Sequence, residues 1–176
     1  KYIEGVPSTQ SLAIGLHVYG SNNKILQKSN LLADGDESMG IRVDGVNNKL
    51  TIDKDSKVTA NGLNGRGINF AYGNGHELNV EGAVYALGEG GKALAFDFGD
   101  NDMGNAMGYR GSYIRTKVGV HADGDRFVRD WLNGEKYPKE YQLSALYGAL
   151  VNDVNISGSV AGKYAAIYIA PNALVK

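Results

Sequence analysis

The sequence predicts an all-β fold, a right-handed parallel β-helix (solenoid) with coils of about 25–27 residues and one inserted loop. Three observations carry this expectation. The first is a degenerate repeat. Gly15-Leu16-His17-Val18-Tyr19-Gly20 returns as Gly40-Ile41-Arg42-Val43-Asp44-Gly45, then as Gly67-Ile68-Asn69-Phe70-Ala71-Tyr72-Gly73, and again as Ala93-Leu94-Ala95-Phe96-Asp97-Phe98-Gly99. The starting points lie 25, 27 and 26 residues apart, and a fixed period of this size marks stacked architectures. The second is alternation within each unit. Apolar residues take turns with polar or small ones, the period of a strand with one buried face. The third is punctuation. Asn47-Asn48, Asn61-Gly62, Asn64-Gly65, Gly73-Asn74-Gly75 and Gly90-Gly91 separate the runs, and Asn and Gly tolerate the positive φ of tight corners.

Taken in order, the first run of each unit places Ile41 and Val43 inward, with Arg42 and Asp44 pointing to solvent. Ile41, Ile68 and Leu94 should stack in one buried ladder, and Val43, Phe70 and Phe96 in the next. The second half of the unit is Leu50-Thr51-Ile52 leading to Lys57-Val58. Leu78-Asn79-Val80-Glu81-Gly82-Ala83-Val84 aligns beneath it, and Val154-Asn155-Ile156-Ser157-Gly158-Ser159-Val160 is a third copy. Leu78 and Val80 are expected inward, Asn79 and Glu81 outward. A helical reading fails because no apolar stripe keeps the i, i+3, i+4 spacing. The Asn-Gly and Asp-Gly pairs also permit β-hairpins, so an antiparallel sandwich is the rival fold. It does not explain why the motif recurs at a fixed period.

The repeat breaks after Gly99. Residues 100–142 hold the single Trp, Trp131, with Tyr109, Tyr113, Tyr137 and Tyr141, and a charged cluster of Asp123, Asp125, Arg126, Arg129, Asp130, Glu135 and Lys136. This stretch reads as a loop inserted into one coil and projecting from the stack. Within it, 113–118 has the pattern of a further strand of the helix, and 127–132 that of a short helix or a loop. The repeat resumes by Leu143. Residues 167–176 read as a strand and a turn with no polar cap. Because solenoids need capping units, residues 1–176 are expected to be a single β-helical piece of a larger protein, cut at both ends.

Composition excludes several function classes. The net charge of −1 supplies no basic field for nucleic acid or anionic lipid. No apolar run is long enough for a membrane span, so no membrane insertion is expected. Cysteine is absent, which removes disulfides and thiolate zinc sites. Hydrophobic residues make up 43%, enough for a continuous core.

Signals for chemistry are sparse. His17 falls in a strand, His76 in a Gly/Asn turn, and His121 before the Asp-rich segment. His76-Glu77 opens like a zinc-protease helix, but Val80 stands where the second ligand is needed. No Gly-x-Ser-x-Gly elbow occurs, and the Gly-rich run at 88–91 lacks the Lys-Ser/Thr of a phosphate loop. Asp34-Gly35-Asp36-Glu37, Asp100-Asn101-Asp102 and Asp123-Gly124-Asp125 offer oxygens of the kind calcium takes. None has the spacing of a known calcium loop, and solvated turns are expected. Neither metal nor cofactor is called for. Arg110 and Arg115 near Asp100 and Asp102 permit a carbohydrate-active reading, which needs two carboxylates about 5–10 Å apart. The candidate binding residues are Tyr109, Arg110, Tyr113, Arg115, Arg126, Arg129, Trp131, Tyr137 and Tyr141, because aromatic and Arg side chains are enriched at binding hot spots. The bland alternative is that these aromatics pack the loop onto the flank of the helix.

The repeated Gly-x-Gly-Ile/Val pattern, the run 67–80, Phe96-Asp97-Phe98-Gly99 with 109–114, and Ala165-Ala166-Ile167-Tyr168-Ile169 together resemble the β-helical passenger region of bacterial autotransporters, in particular those carrying a subtilisin-like protease. The resemblance covers most of residues 12–176. It implies a secreted or surface-displayed, non-catalytic stalk. Its partners would be neighbouring domains of the same chain: a protease or other passenger part, and a translocating outer-membrane barrel. The subtilisin-type His-Gly-Thr and Gly-Thr-Ser-Met-Ala signatures are absent, so no catalytic residue carries over. The competing readings are an adhesin that binds host surface protein or glycan through residues 100–142, and a carbohydrate-active enzyme.

Overall fold

A computed structural model describes residues 13–18, 20–71, 73–97, 112–115, 120–123, 149–170 and 173–176, with 112–115 and 120–123 described at the backbone only. Among these residues there is no helix. Fifteen strands follow one another: β1 Ile14–Val18, β2 Lys24–Gln27, β3 Leu31–Ala33, β4 Met39–Val43, β5 Lys49–Ile52, β6 Lys57–Ala60, β7 Arg66–Phe70, β8 His76–Val80, β9 Ala83–Ala86, β10 Lys92–Phe96, β11 Ser112–Arg115, β12 Val120–Asp123, β13 Val151–Ile156, β14 Ser159–Gly162 and β15 Ala165–Ile169.

With β11 and β12 left out, every third strand joins the same sheet. The first sheet runs β1-β4-β7-β10-β15, the second β2-β5-β8-β13 and the third β3-β6-β9-β14. All pairings in these sheets are parallel. The chain thus lays one strand in each sheet per turn, consistent with a parallel β-helix-like solenoid. The antiparallel sandwich is set aside, since β4 pairs with β7 and not with β5.

The ladders fall where the repeat puts them. Leu16, Ile41, Ile68, Leu94 and Ile167 share one row, and Val18, Val43, Phe70, Phe96 and Ile169 the next. The rings of Phe70 and Phe96 stack with centroids 5.5 Å apart. In the second sheet Leu50, Leu78 and Val154 align, as do Ile52, Val80 and Ile156. Val58, Val84 and Val160 form the row of the third. These side chains converge on one core in which Ile41, Leu50, Ile52, Val58, Ile68, Phe70, Leu78, Val80, Val84 and Leu94 are fully buried.

Two backbone features make the stack possible. At Gly67 a Cβ would lie 2.4 Å from Val84 Cγ1 and 2.6 Å from the carbonyl oxygen of Ala93. The first sheet therefore closes on the third only where this side chain is missing. At the corner after the first strand, Asn22 and Asn47 take φ of 61° and 57°, and Gly75 follows with 73°. This is the left-handed conformation open to Asn and Gly at little cost.

One expectation changes. Of the 113–118 run, the described residues 113–115 do not add a rung to a coil. β11 pairs antiparallel with β12, Tyr113 opposite Ala122 and Arg115 opposite Val120, in a sheet of its own. The link between them is too short for the crossover that parallel strands require, whereas a hairpin needs only a tight turn.

Candidate functional site

The outward positions of the first sheet concentrate the polar groups of the described structure. Gly40 and Gly67 explain why. A Cβ at Gly40 would meet Val58 Cγ1 at 2.6 Å, so Gly40 faces the core, as its neighbour Ile41 does. Two consecutive inward residues put Met39 and Arg42 together on the outer face of β4. The same break puts Arg66 and Asn69 together on β7. The outward row then reads His17, Arg42, Asn69, Ala95, Tyr168 across the sheet. Asp44, Ala71 and Asp97 continue the three middle strands, each donating its N–H to the preceding rung.

Ion pairs tie this face together. Nε2 of His17 lies 2.5 Å from Oδ2 of Asp44, and Nε of Arg42 donates to both oxygens of the same carboxylate at 3.3 Å. One rung on, Arg66 Nη1 donates to Asn69 Oδ1 at 3.0 Å and Arg66 Nη2 to Asp97 Oδ2 at 3.4 Å. Lys92 Nζ sits 4.7 Å from the ring centroid of Tyr168 and 5.3 Å from that of Tyr164, within cation–π range.

The burial of this face corrects the sequence reading. Arg42 and Asp44, expected in solvent, are both 0% exposed, and so is Asn69. Alternation correctly puts Arg42 on the face opposite Ile41, but that face is not wet. Buried charge is tolerable only when paired and hydrogen-bonded; Asp44 is paired with Nε of Arg42 and with His17, and Arg66 with Asp97. The polar row in His17, Arg42 and Asn69 was visible in the repeat. Its enclosure was not, because a polar outward residue in a strand ordinarily means water.

His76 is also relocated. It opens β8 instead of lying in a turn, and is fully buried. Its ring packs 5.6 Å from Phe70, and its Nδ1 accepts the N–H of Asn48 at 3.1 Å. The Asn48 side chain in turn donates to the carbonyls of Gly20 and Asp44 and accepts from Asn23. This polar seam runs under the corner between the first two sheets. The acidic turn at 34–37 is likewise engaged in local bonds. Asp34 accepts from the N–H of Gly35, Asp36 from the N–H of Leu63, and Glu37, only 6% exposed, from Asn64 Nδ2. Among the described residues no group of three His, Asp or Glu is arranged to hold a metal ion.

Tyr113 and Arg115 are on β11, described at the backbone alone. Tyr109, Arg110, Arg126, Arg129, Trp131, Tyr137 and Tyr141 lie outside the described residues, as do Asp100, Asp102 and Asp125.

Chemically, the outer face offers a His–carboxylate pair braced by Arg42, and two carboxylates on one row. The described contacts of His17 and Asp44 include no Ser or Thr hydroxyl, the group that such a pair activates in acyl transfer. In comparisons with models of known protein families, with curated proteins and with solved structures, nothing matches the chain.

Proposed function

We propose that this chain is a non-catalytic stalk, a right-handed β-helical section of a secreted or surface-displayed autotransporter passenger. It holds a neighbouring functional domain of the same polypeptide away from the membrane and aids export by folding coil upon coil. The observation that supports this reading is the unbroken register. The rows of Leu16, Ile41, Ile68, Leu94 and Ile167 and of Val18, Val43, Phe70, Phe96 and Ile169 cross five strands without a slip. Each added coil buries its apolar row against the previous one, at about 1.5–3 kcal/mol for each fully buried Ile, Leu or Phe. Folding that proceeds by nearest neighbours in this way suits a chain emerging end first.

The test places residues 1–176 between a secreted reporter and an outer-membrane barrel. Display of the reporter at the cell surface should depend on coil stability, so Phe96→Ala should slow its appearance. Equal display from a Gly/Ser linker of the same length would sink the stalk reading.

One observation favours a carbohydrate-active enzyme. Asp44 and Asp97 occupy one row two rungs apart, about 10 Å at the backbone from the usual strand spacing, close to the carboxylate separation of inverting glycosidases. Against it, the Asp44 side chain is 0% exposed and bonded to both His17 and Arg42, which leaves it little freedom to approach a sugar. Reducing-sugar release from uronic-acid polymers, lost in Asp97→Asn, would establish the enzyme.

A further inference from the structure

We propose that Asn61 is a spontaneous modification site: the main-chain nitrogen of Gly62 attacks the Asn61 side-chain amide, and the product loosens the corner between the third and first sheets. In the attack, a bond forms between Gly62 N and Asn61 Cγ, and the Cγ–Nδ2 bond breaks. Ammonia leaves with the proton of the Gly62 N–H. Water then opens the cyclic imide. Cleavage at Cγ leaves aspartate, and cleavage at the Asn61 main-chain carbonyl leaves an isoaspartyl link. Nothing is oxidised or reduced. Asn is among the chemically labile residues, and a following Gly has no Cβ to hinder the attack.

Asn-Gly occurs at 61–62, 64–65, 74–75 and 133–134, the last outside the described residues. The other three differ in what holds them. At Asn74 the nucleophile is engaged, since the N–H of Gly75 donates to the carbonyl of Ala149 at 2.9 Å. At Asn64 the side chain is engaged. Its Nδ2 donates to Oε1 of Glu37 at 3.1 Å, and a Cβ on Gly90 would stand 2.0 Å from its Oδ1, so the next rung closes against it. Gly65 behind it is buried. Asn61 is exposed and Gly62 half-buried. Among the described residues no hydrogen bond engages the Asn61 side chain or the Gly62 N–H. Exposure alone does not select Asn61, because Asn64 is exposed as well. The selection comes from the free amide and the free nucleophile together.

The consequence follows from how closely the rungs meet here. A Cβ on Gly62 would lie 2.3 Å from the carbonyl oxygen of Gly35, and one on Gly88 would lie 2.2 Å from that of Gly62. Bare backbone therefore packs on bare backbone through three successive rungs. An isoaspartyl link lengthens the main chain by one carbon at this point. It also turns the Asn61 carbonyl, which accepts from Oγ of the buried Ser38 at 2.8 Å, into a free carboxylate. The inference rests on the corner geometry and not on the stalk reading, and holds whether or not the chain displays a reporter.

The experiment incubates the full 176-residue chain in warm, mildly alkaline buffer. Trypsin then releases residues 58–66, which carry both Asn61 and Asn64, and fragment mass spectra locate the exchange of NH2 for OH. Asn61 should convert at least about tenfold faster than Asn64, the ratio that one held hydrogen bond to a carboxylate accounts for. Chromatography should resolve aspartyl and isoaspartyl products. In guanidinium the unfolded chain should convert the two at similar rates, which assigns the selection to the fold. Equal rates in the folded chain, earlier conversion of Asn64 or Asn74, or an inert Asn61 while the unfolded chain reacts would overturn the site. The isoaspartyl fraction should melt below the fresh chain and below Asn61→Asp, which adds the charge without the extra carbon. An isoaspartyl fraction that melts with the fresh chain would overturn the loosening.

Discussion

The first sheet and the other two are built on the same alternation and meet water differently. In β4 and β7 every position is buried. In β5, β6, β8 and β9 buried core residues alternate with partly or fully exposed ones. The outward residues reflect this. Lys49 and Glu77 on the second sheet keep side chains 44% and 46% exposed, whereas Arg42 and Asp44 on the first are at 0%. The same charge types therefore do different work. On the second sheet the ion pair is solvated and contributes little. On the first, desolvation is offset by the mutual pairing of Arg42, Asp44 and His17, so losing one member leaves an uncompensated buried charge.

The comparison can be broken in four places. Phe96, 1% exposed and stacked on Phe70, tests the core that all three sheets share. Phe96→Ala should cost about 3–5 kcal/mol in urea unfolding, and a change under about 0.5 kcal/mol, normal for a surface site, would mean that the ladders do not carry the fold. The outer faces come next. Asp44→Ala should cost about 3–5 kcal/mol as the loss of a buried ion-pair member, while Glu77→Ala should stay within about 0.5 kcal/mol. Equal losses would erase the distinction between the sheets.

A smaller effect is expected at the closest approach of two sheets. Gly67→Ala must push a methyl group against Cγ1 of Val84 on the third sheet, only 2.4 Å away, and overpacking of this kind costs about 1–3 kcal/mol. An unchanged melting temperature would show that the first sheet can move off the third. The smallest effect belongs to the exposed pair at the third corner, Lys163 Nζ 2.8 Å from Glu89 Oε2. The hydrogen bond from Lys163, then its charge, lowers the Glu89 pKa from the ordinary 4.5, and the same contacts raise that of Lys163 from 10.5. The pair's contribution is present above the ordinary Glu value and is lost as pH falls through the lowered one. At the other end it is present below the ordinary Lys value and is lost as pH rises through the raised one. Both groups are fully exposed, so salt should remove most of the effect. NMR titration of Glu89 in low salt should give a midpoint below the ordinary 4.5, and Lys163→Met should move it back up.

The ladder rows were legible because their period is covalent. Ile41, Ile68 and Leu94 recur at a nearly constant spacing, and a chain that returns to the same sheet once per turn must stack them. The second-half alignment of Leu50, Leu78 and Val154 was legible for the same reason, even across the long excursion after β10. The corners were marked by Asn and Gly, whose freedom at positive φ is intrinsic to the residue. The hairpin of β11 and β12 was missed because 113–118 has strand composition, and composition does not name the partner strand.

What the sequence by itself determined is the set of local choices: strand or corner, inward or outward, and the row each residue occupies. Those follow from side-chain alternation and backbone sterics, which act over a few residues. What only the tertiary structure decided is which outward face loses its water. Arg42, Asp44 and His76 carry polar atoms that a one-dimensional pattern assigns to solvent. Asp44 and His76 meet partners brought together from 27 and 28 residues away, and desolvation is a property of the assembled neighbourhood and not of the strand.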